Sequence, residues 1–230
     1  MNRSLIAPLA LACTLFCAAQ AHADTVTFSG FANGYESVDV VLGSPNAPKA
    51  ISTLAGGFSA TLNGGPSFTT YCIDLYEFIA FGTPLTDYTL VAGAAHAFGN
   101  ANAAVDIGKL YAENNLVDSA TKQAAFQIAI WEIAYEATGT PYNLASGSAQ
   151  FSGGTAASSG ALTLASSWLG AIATTTNNSY TVWALDSVGN PGHQDQVFAT
   201  PVPEPSTYAM LAGGLMAIGF VARRRSARQG

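Results

Sequence analysis

Apolar residues in this chain follow a strand period near the front, a helical period in the middle and a strand period again towards the back. Residues 25–76 contain short alternating segments such as Ser37–Leu42, separated by turns rich in Gly, Pro and Asn. The same pattern predicts strands within 25–28, 51–62, 68–76 and 87–91, and again within 180–185 and 194–199.

The middle of the chain predicts helices over residues 102–114, 119–137 and 162–172. The clearest of them is 119–137, which Asp118 or Ser119 can cap and Pro141 ends, with one apolar stripe formed by Phe126, Ala129, Ile130 and Ile133. Residues 146–159 are rich in Ser, Gly and Ala and predict a loop. Strands, then helices, then strands predict an α+β fold, a mainly antiparallel β unit with a helical insertion.

The front of the chain has the three parts of a secretion signal. Arg3 gives a positive start, residues 5–19 are apolar apart from Thr14, and Ala21-His22-Ala23 has small residues where a signal peptidase reads. The apolar run is shorter than the roughly 20 residues that a membrane span needs. We therefore expect residues 1–23 to be a signal peptide, which signal peptidase removes before Asp24.

The back of the chain has a second sorting pattern, three elements in a fixed order. The first is Val202-Pro203-Glu204-Pro205, the second is an uncharged stretch over residues 207–222, and the third is a basic cluster of Arg223, Arg224 and Arg225. Arginines behind a short apolar helix hold that end on the cytoplasmic side of a membrane, so we expect a transmembrane helix before processing.

This tail, residues 201–230, resembles the PEP-CTERM sorting signal. The resemblance implies a Gram-negative host that makes extracellular polysaccharide, and cleavage near Pro203-Glu204-Pro205 by an inner-membrane exosortase. It also implies delivery to the cell surface or to the extracellular matrix of a biofilm.

The part between the two ends, residues 24–200, is predicted to be one acidic domain. From residue 24 to 206 there are three lysines, no arginine and fourteen acidic residues, a net charge of −11. Such a surface repels nucleic acid, which excludes nucleic-acid partners, and keeps an exported protein soluble. No spaced Cys/His set or Gly-rich phosphate loop is present, so neither a metal nor a cofactor is expected.

One cysteine remains after export. Cys13 and Cys17 leave with the signal, and Cys72 stays alone, so it closes no internal disulfide. On a strand it shares a face with Asp74 rather than with Ile73 and Leu75. A buried, inert thiol and a reactive one are both open at this point.

Cys72 lies in Tyr-Cys-Ile-Asp, and Gln127 and Trp131 lie in Gln-x-Ala-Ile-Trp on the predicted helix 119–137. Together these motifs resemble the thioester domains of bacterial surface adhesins, and Gln194-Asp195-Gln196-Val197-Phe198 is similar to their closing strand. The resemblance implies a bond between the Cys72 sulfur and the Gln127 acyl group, with Trp131 as the motif's tryptophan. Asp74 is a candidate proton acceptor, and Tyr71, Tyr76 and Trp131 are candidate shields against water.

The implied function is covalent binding to an amine- or hydroxyl-bearing surface target or an exopolysaccharide, with one acyl transfer per molecule and no enzymatic turnover. The first alternative is a non-covalent structural protein of the polysaccharide matrix, with Cys72 inert and Gln127 bonded to backbone. The second is a secreted hydrolase that pairs Cys72 with His96 or His193.

Overall fold

The computed structural model describes residues 23–43, 48–114, 116–189, 192–203, 210–211, 213–216 and 218. Within these residues the chain forms nine strands, β1 Asp24–Phe31, β2 Glu36–Leu42, β3 Lys49–Ala55, β4 Phe58–Leu62, β5 Ser67–Cys72, β6 Pro84–Ala92, β7 Ala149–Ser152, β8 Tyr180–Ser187 and β9 Gln196–Pro201. It also forms a 3₁₀ turn over Gly93–Ala95 and four α-helices, α1 Ala103–Glu113, α2 Ala120–Tyr135, α3 Gly154–Ser159 and α4 Ala161–Ile172. The predicted α+β class is confirmed.

Six of the strands form an antiparallel sheet that closes on itself in the order β1, β4, β5, β9, β8, β6. Strands β8 and β9, which follow the helices in sequence, fill the gap between β5 and β6. In this arrangement β9 lies beside the end of β5, with Tyr71 opposite Val197 and Cys72 opposite Gln196.

A second, three-stranded sheet has the order β3, β2, β7. Its strand β7 and the adjacent helix α3 lie within 146–159, so the predicted loop is wrong there. Ala149 and Phe151 are buried at alternate positions, and β7 pairs with β2, which overrides the Ser/Gly-rich composition. Gly153 and Gly154 both have φ +61°, a left-handed conformation that glycine adopts readily, at the start of α3.

Helix α2 lies at the centre of the molecule. Ser119 caps it as predicted, accepting from the Lys122 N–H. The single apolar stripe is wrong as a description, because every residue from Gln123 to Ala134 is buried. The helix contacts strands of both sheets, β5 of the closed sheet and β2, β3 and β7 of the second, and it also contacts α1, α3 and α4. Polar side chains on α2 are therefore buried and need partners.

Both predicted sorting segments lie largely outside the described residues. The signal peptide over 1–23 is outside them except for Ala23, and so are Glu204, Pro205, Arg223, Arg224 and Arg225. Val202 and Pro203 are described, and the Val202 N–H donates to the Ser179 carbonyl over 2.8 Å. The expected transmembrane helix finds no support: no helix in the described part of the chain is long and apolar enough to cross a membrane.

Candidate functional site

Cys72 is the last residue of β5, and its side chain is buried with 1% of its surface exposed. The thiol donates a hydrogen bond of 2.6 Å to the Asp74 carbonyl, across a tight turn that follows the strand. Because β5 ends at Cys72, the predicted strand over 68–76 is too long and Asp74 shares no strand face with Cys72. The Asp74 carboxylate instead accepts from the Tyr76 N–H over 2.8 Å.

Gln127 on α2 lies directly against the backbone of Cys72. The Cys72 N–H donates to Gln127 Oε1 over 2.9 Å, and Gln127 Nε2 donates to the Cys72 carbonyl over 2.7 Å. The Gln127 side chain is completely buried. This reciprocal pair fixes the plane of the side-chain amide beside the residue that carries the thiol, so the two predicted partners are brought together.

Trp131 lies one turn after Gln127 and is 1% exposed. Its ring is parallel to that of Phe151, with centroids 6.3 Å apart. Because Phe151 lies on β7, the site packs against the second sheet. The indole N–H has no hydrogen-bond acceptor among the described residues. Burial raises the pKa of the Cys72 thiol well above its ordinary value.

Two glutamines complete the site, Gln194 just before β9 and Gln196 as its first residue. Gln194 Nε2 donates to the Asp74 carbonyl over 2.8 Å, the same oxygen that accepts from the thiol, and to the Glu77 carbonyl over 3.1 Å. Gln196, opposite Cys72, donates from Nε2 to Gln194 Oε1 over 3.1 Å, and its own buried Oε1 has no partner in the described part of the molecule. The sequence did not predict which groups these two glutamines bind, although glutamines at alternate positions beside apolar residues were a signal.

Beside the thiol a cavity of about 310 Å³ opens, lined by Cys72, Trp131, Gln194 and a group of aromatic and aliphatic side chains. Two of the predicted shields lie elsewhere. Tyr71 faces away, with its hydroxyl 2.8 Å from Gln123 Oε1, and Tyr76 is 45% exposed. Of the three, only Trp131 covers the site.

The histidines are not brought to the cysteine. His96 Nδ1 lies 2.7 Å from Asp186 Oδ1, and His193 Nδ1 lies 2.7 Å from Asp87 Oδ2. Burial lowers the pKa of His96, but Asp186 outweighs it and the net pKa is raised. No histidine in the described residues is hydrogen-bonded to Cys72, whereas a Cys–His hydrolase needs that contact.

The sequence did not predict one group of potential metal ligands, which the fold brings together. Atoms of His96, Asp186 and Asp195 lie within 4.8 Å of one another, and all three side chains are half-buried. Burial raises the pKa of Asp195 to about 6, and its Oδ1 accepts from the Ser187 N–H. His96 is ninety residues from Asp186 in sequence, so no local spacing predicted the group.

Glu132 follows Trp131 on α2 and is completely buried. Its Oε1 accepts from the Asn143 N–H over 2.6 Å, and its Oε2 has no partner among the described atoms. Burial raises the pKa of this carboxyl to about 7, with a further contribution from Glu136.

Comparison with known proteins gives one match for the C-terminal tail and one for the folded domain. The PEP-CTERM protein-sorting motif matches residues 201–225. The N-terminal domain of the Streptococcus pyogenes pilus tip adhesin Cpa has a similar structure, with a TM-score of 0.50 and 13% sequence identity, over 81% of this chain and 97% of that one. The comparison with curated proteins gives no match. A domain with the fold of a bacterial adhesin domain is therefore followed by a PEP-CTERM sorting motif. The motif implies an exported, surface-directed protein that an exosortase processes.

Proposed function

We propose that Cys72 and Gln127 form an internal thioester through which the exported domain attaches covalently to a surface or matrix target. The observation that carries the proposal is the reciprocal hydrogen-bonded pair between the Gln127 amide and the Cys72 backbone, at 2.9 and 2.7 Å, in a buried site. Holding a nucleophile beside an acyl group in one fixed arrangement replaces much of the entropy cost of bringing them together.

The bond-forming step requires no external reagent. The Cys72 sulfur attacks the Gln127 amide carbon, the carbon–nitrogen bond breaks, and the thiol proton leaves with the nitrogen as ammonia. The Cys72 N–H already points at Oε1, where negative charge develops, and acts as an oxyanion donor. Burial keeps the thiol protonated, so the proton has to move to the departing nitrogen as the sulfur attacks.

In the second step a target amine or hydroxyl attacks the Gln127 acyl carbon. The carbon–sulfur bond breaks, the proton of the attacking group passes to sulfur, and Cys72 is freed. The product is an amide or an ester through Gln127. Because the acyl group is used once, the domain is a covalent binder without turnover, in keeping with its adhesin-like fold.

The sorting tail supports a location outside the cell for this chemistry. The proposed route is export, an inner-membrane intermediate, exosortase cleavage near Pro203, and retention at the surface or in a polysaccharide matrix. At that location a bond to the target resists dilution and mechanical force in a way that a non-covalent contact does not.

Methylamine labelling tests the proposal. The purified protein should gain one methylamine at Gln127, and neither Cys72→Ala nor Gln127→Ala should gain any. Gln150→Ala is the matched control, because Gln150 is exposed on β7, and it should label like the unaltered protein. Labelling that persists in Cys72→Ala, or none in the folded unaltered protein, would refute the thioester.

One observation favours a second candidate, a non-covalent structural protein of the matrix. Both polar atoms of the Gln127 amide already have partners, and burial raises the pKa of Cys72, as in an inert core pair. Under that alternative methylamine adds to nothing, and the thiol titrates in full once the protein is unfolded.

A further inference from the structure

The cavity beside Cys72 has an aromatic wall that is open to solvent. Phe31, Phe58, Phe78 and Phe81 line it, and the rings of Phe31 and Phe81 lie 6.1 Å apart, those of Phe58 and Phe81 5.9 Å apart. Phe78 is 81% exposed and Phe81 48% exposed. Large aromatic side chains that remain in water around a concave site mark a place where something binds.

The remaining lining combines the apolar side chains of Leu54, Ile79 and Trp131 with a few polar, uncharged groups. Ser52 and Thr53 contribute hydroxyl groups, Gln194 contributes an amide, and no charged side chain of the described residues lines the cavity. An ammonium ion moved into this cavity would lose hydration without gaining a carboxylate partner, which is costly. An anion would approach against the net charge of −11 carried by residues 24–206.

We propose that this cavity binds a neutral sugar ring of a polysaccharide. The apolar C–H face of a hexose stacks on phenylalanine rings, and its hydroxyl groups match the Ser52 and Thr53 hydroxyls and the Gln194 amide. The volume of about 310 Å³ is at the lower end of the roughly 300–1,000 Å³ typical of small-molecule sites, which suits a short segment of chain.

The covalent part of this inference rests on the proposed thioester and selects between its two classes of nucleophile. A sugar hydroxyl oxygen attacks the Gln127 acyl carbon, the bond to the Cys72 sulfur breaks, and the hydroxyl proton passes to that sulfur. The product is an ester between Gln127 and the polysaccharide. Cys72 lines the same cavity as Phe78, so a ring bound there is held next to one member of the proposed reactive pair.

Binding is tested in the full chain with Cys72→Ala, which cannot form a thioester, so the result is independent of that chemistry. Affinity electrophoresis in gels containing dextran, a neutral glucose polymer, should retard this protein. Adding Phe78→Ala should raise the dissociation constant for dextran about tenfold, the effect of losing one aromatic stacking partner. Val188→Ala is the matched control, because Val188 is 68% exposed and does not line the cavity.

Two further gels contain alginate, an anionic polysaccharide, and polylysine, a cationic peptide. Polylysine should attract the acidic domain through charge alone. The inference predicts that Phe78→Ala changes the retardation by neither alginate nor polylysine. It is overturned if dextran gives no retardation, if Phe78→Ala and Val188→Ala behave alike, or if polylysine alone binds through Phe78, which would identify a protein amine as the partner. The methylamine result decides the thioester separately.

Discussion

Replacing Gln127 measures how firmly its amide holds the backbone of residue 72. The comparison is made in Cys72→Ala, so that no thioester complicates it, and the perturbation is Gln127→Ala. The change leaves one backbone N–H and one carbonyl without partners in a site that is completely buried. Each such group costs about 1–3 kcal/mol, so the free energy of unfolding should fall by about 2–6 kcal/mol.

Urea unfolding followed by circular dichroism gives this difference directly. Gln150→Ala in the same background should change stability by less than about 0.5 kcal/mol, as expected for an exposed side chain. A loss below about 1 kcal/mol for Gln127→Ala would refute the reasoning, because two unsatisfied buried groups cannot be that cheap. A third variant, Gln127→Glu, should be most stable at acidic pH, where a protonated carboxyl can still donate to the carbonyl.

Three other predictions concern residues outside the Cys72–Gln127 pair. Glu132→Gln removes a carboxyl whose pKa burial raises from 4.5 to about 7, so between about pH 4.5 and about pH 8 the unaltered protein should lose about 3 kcal/mol more stability than the variant; equal losses in urea unfolding would contradict this. Tyr71→Phe removes the hydroxyl bonded to Gln123 and should lower the free energy of unfolding by about 1 kcal/mol in the same assay. An unchanged free energy of unfolding would contradict this hydrogen bond. Gly154→Ala forces a side chain onto a carbonyl of β2 at φ +61° and should lower the melting temperature, whereas Gly170→Ala in α4, where the space is open, should leave it equal or higher.

Periodicity was sufficient for most of the elements, because the strands near both ends and helices α1 and α4 bury residues in regular patterns. Helix α2 is buried on all sides, and its cap and the following Pro141 marked its ends instead. It could not reveal β7, whose four residues are strand only because β2 pairs with them. The order of the closed sheet was equally hidden, since β9 joins β5 across more than a hundred residues.

At the site, sequence motifs led to Cys72, Gln127 and Trp131, which the structure places together. Asp74 was assigned through its side chain, but only its carbonyl reaches the thiol, because β5 ends four residues earlier than the alternation suggests. Gln194 could not be assigned its role from sequence. Its bond to the Asp74 carbonyl depends on how β9 returns to β5, a long-range pairing.

The most direct test of the central proposal is the intact mass of the freshly purified protein. A thioester between Cys72 and Gln127 predicts a mass lower by one ammonia than the sequence of the processed chain requires. Cys72→Ala and Gln127→Ala should each show the full mass expected for their sequences. A full mass in the unaltered protein, together with a Cys72 thiol that titrates completely after unfolding, would contradict the proposal.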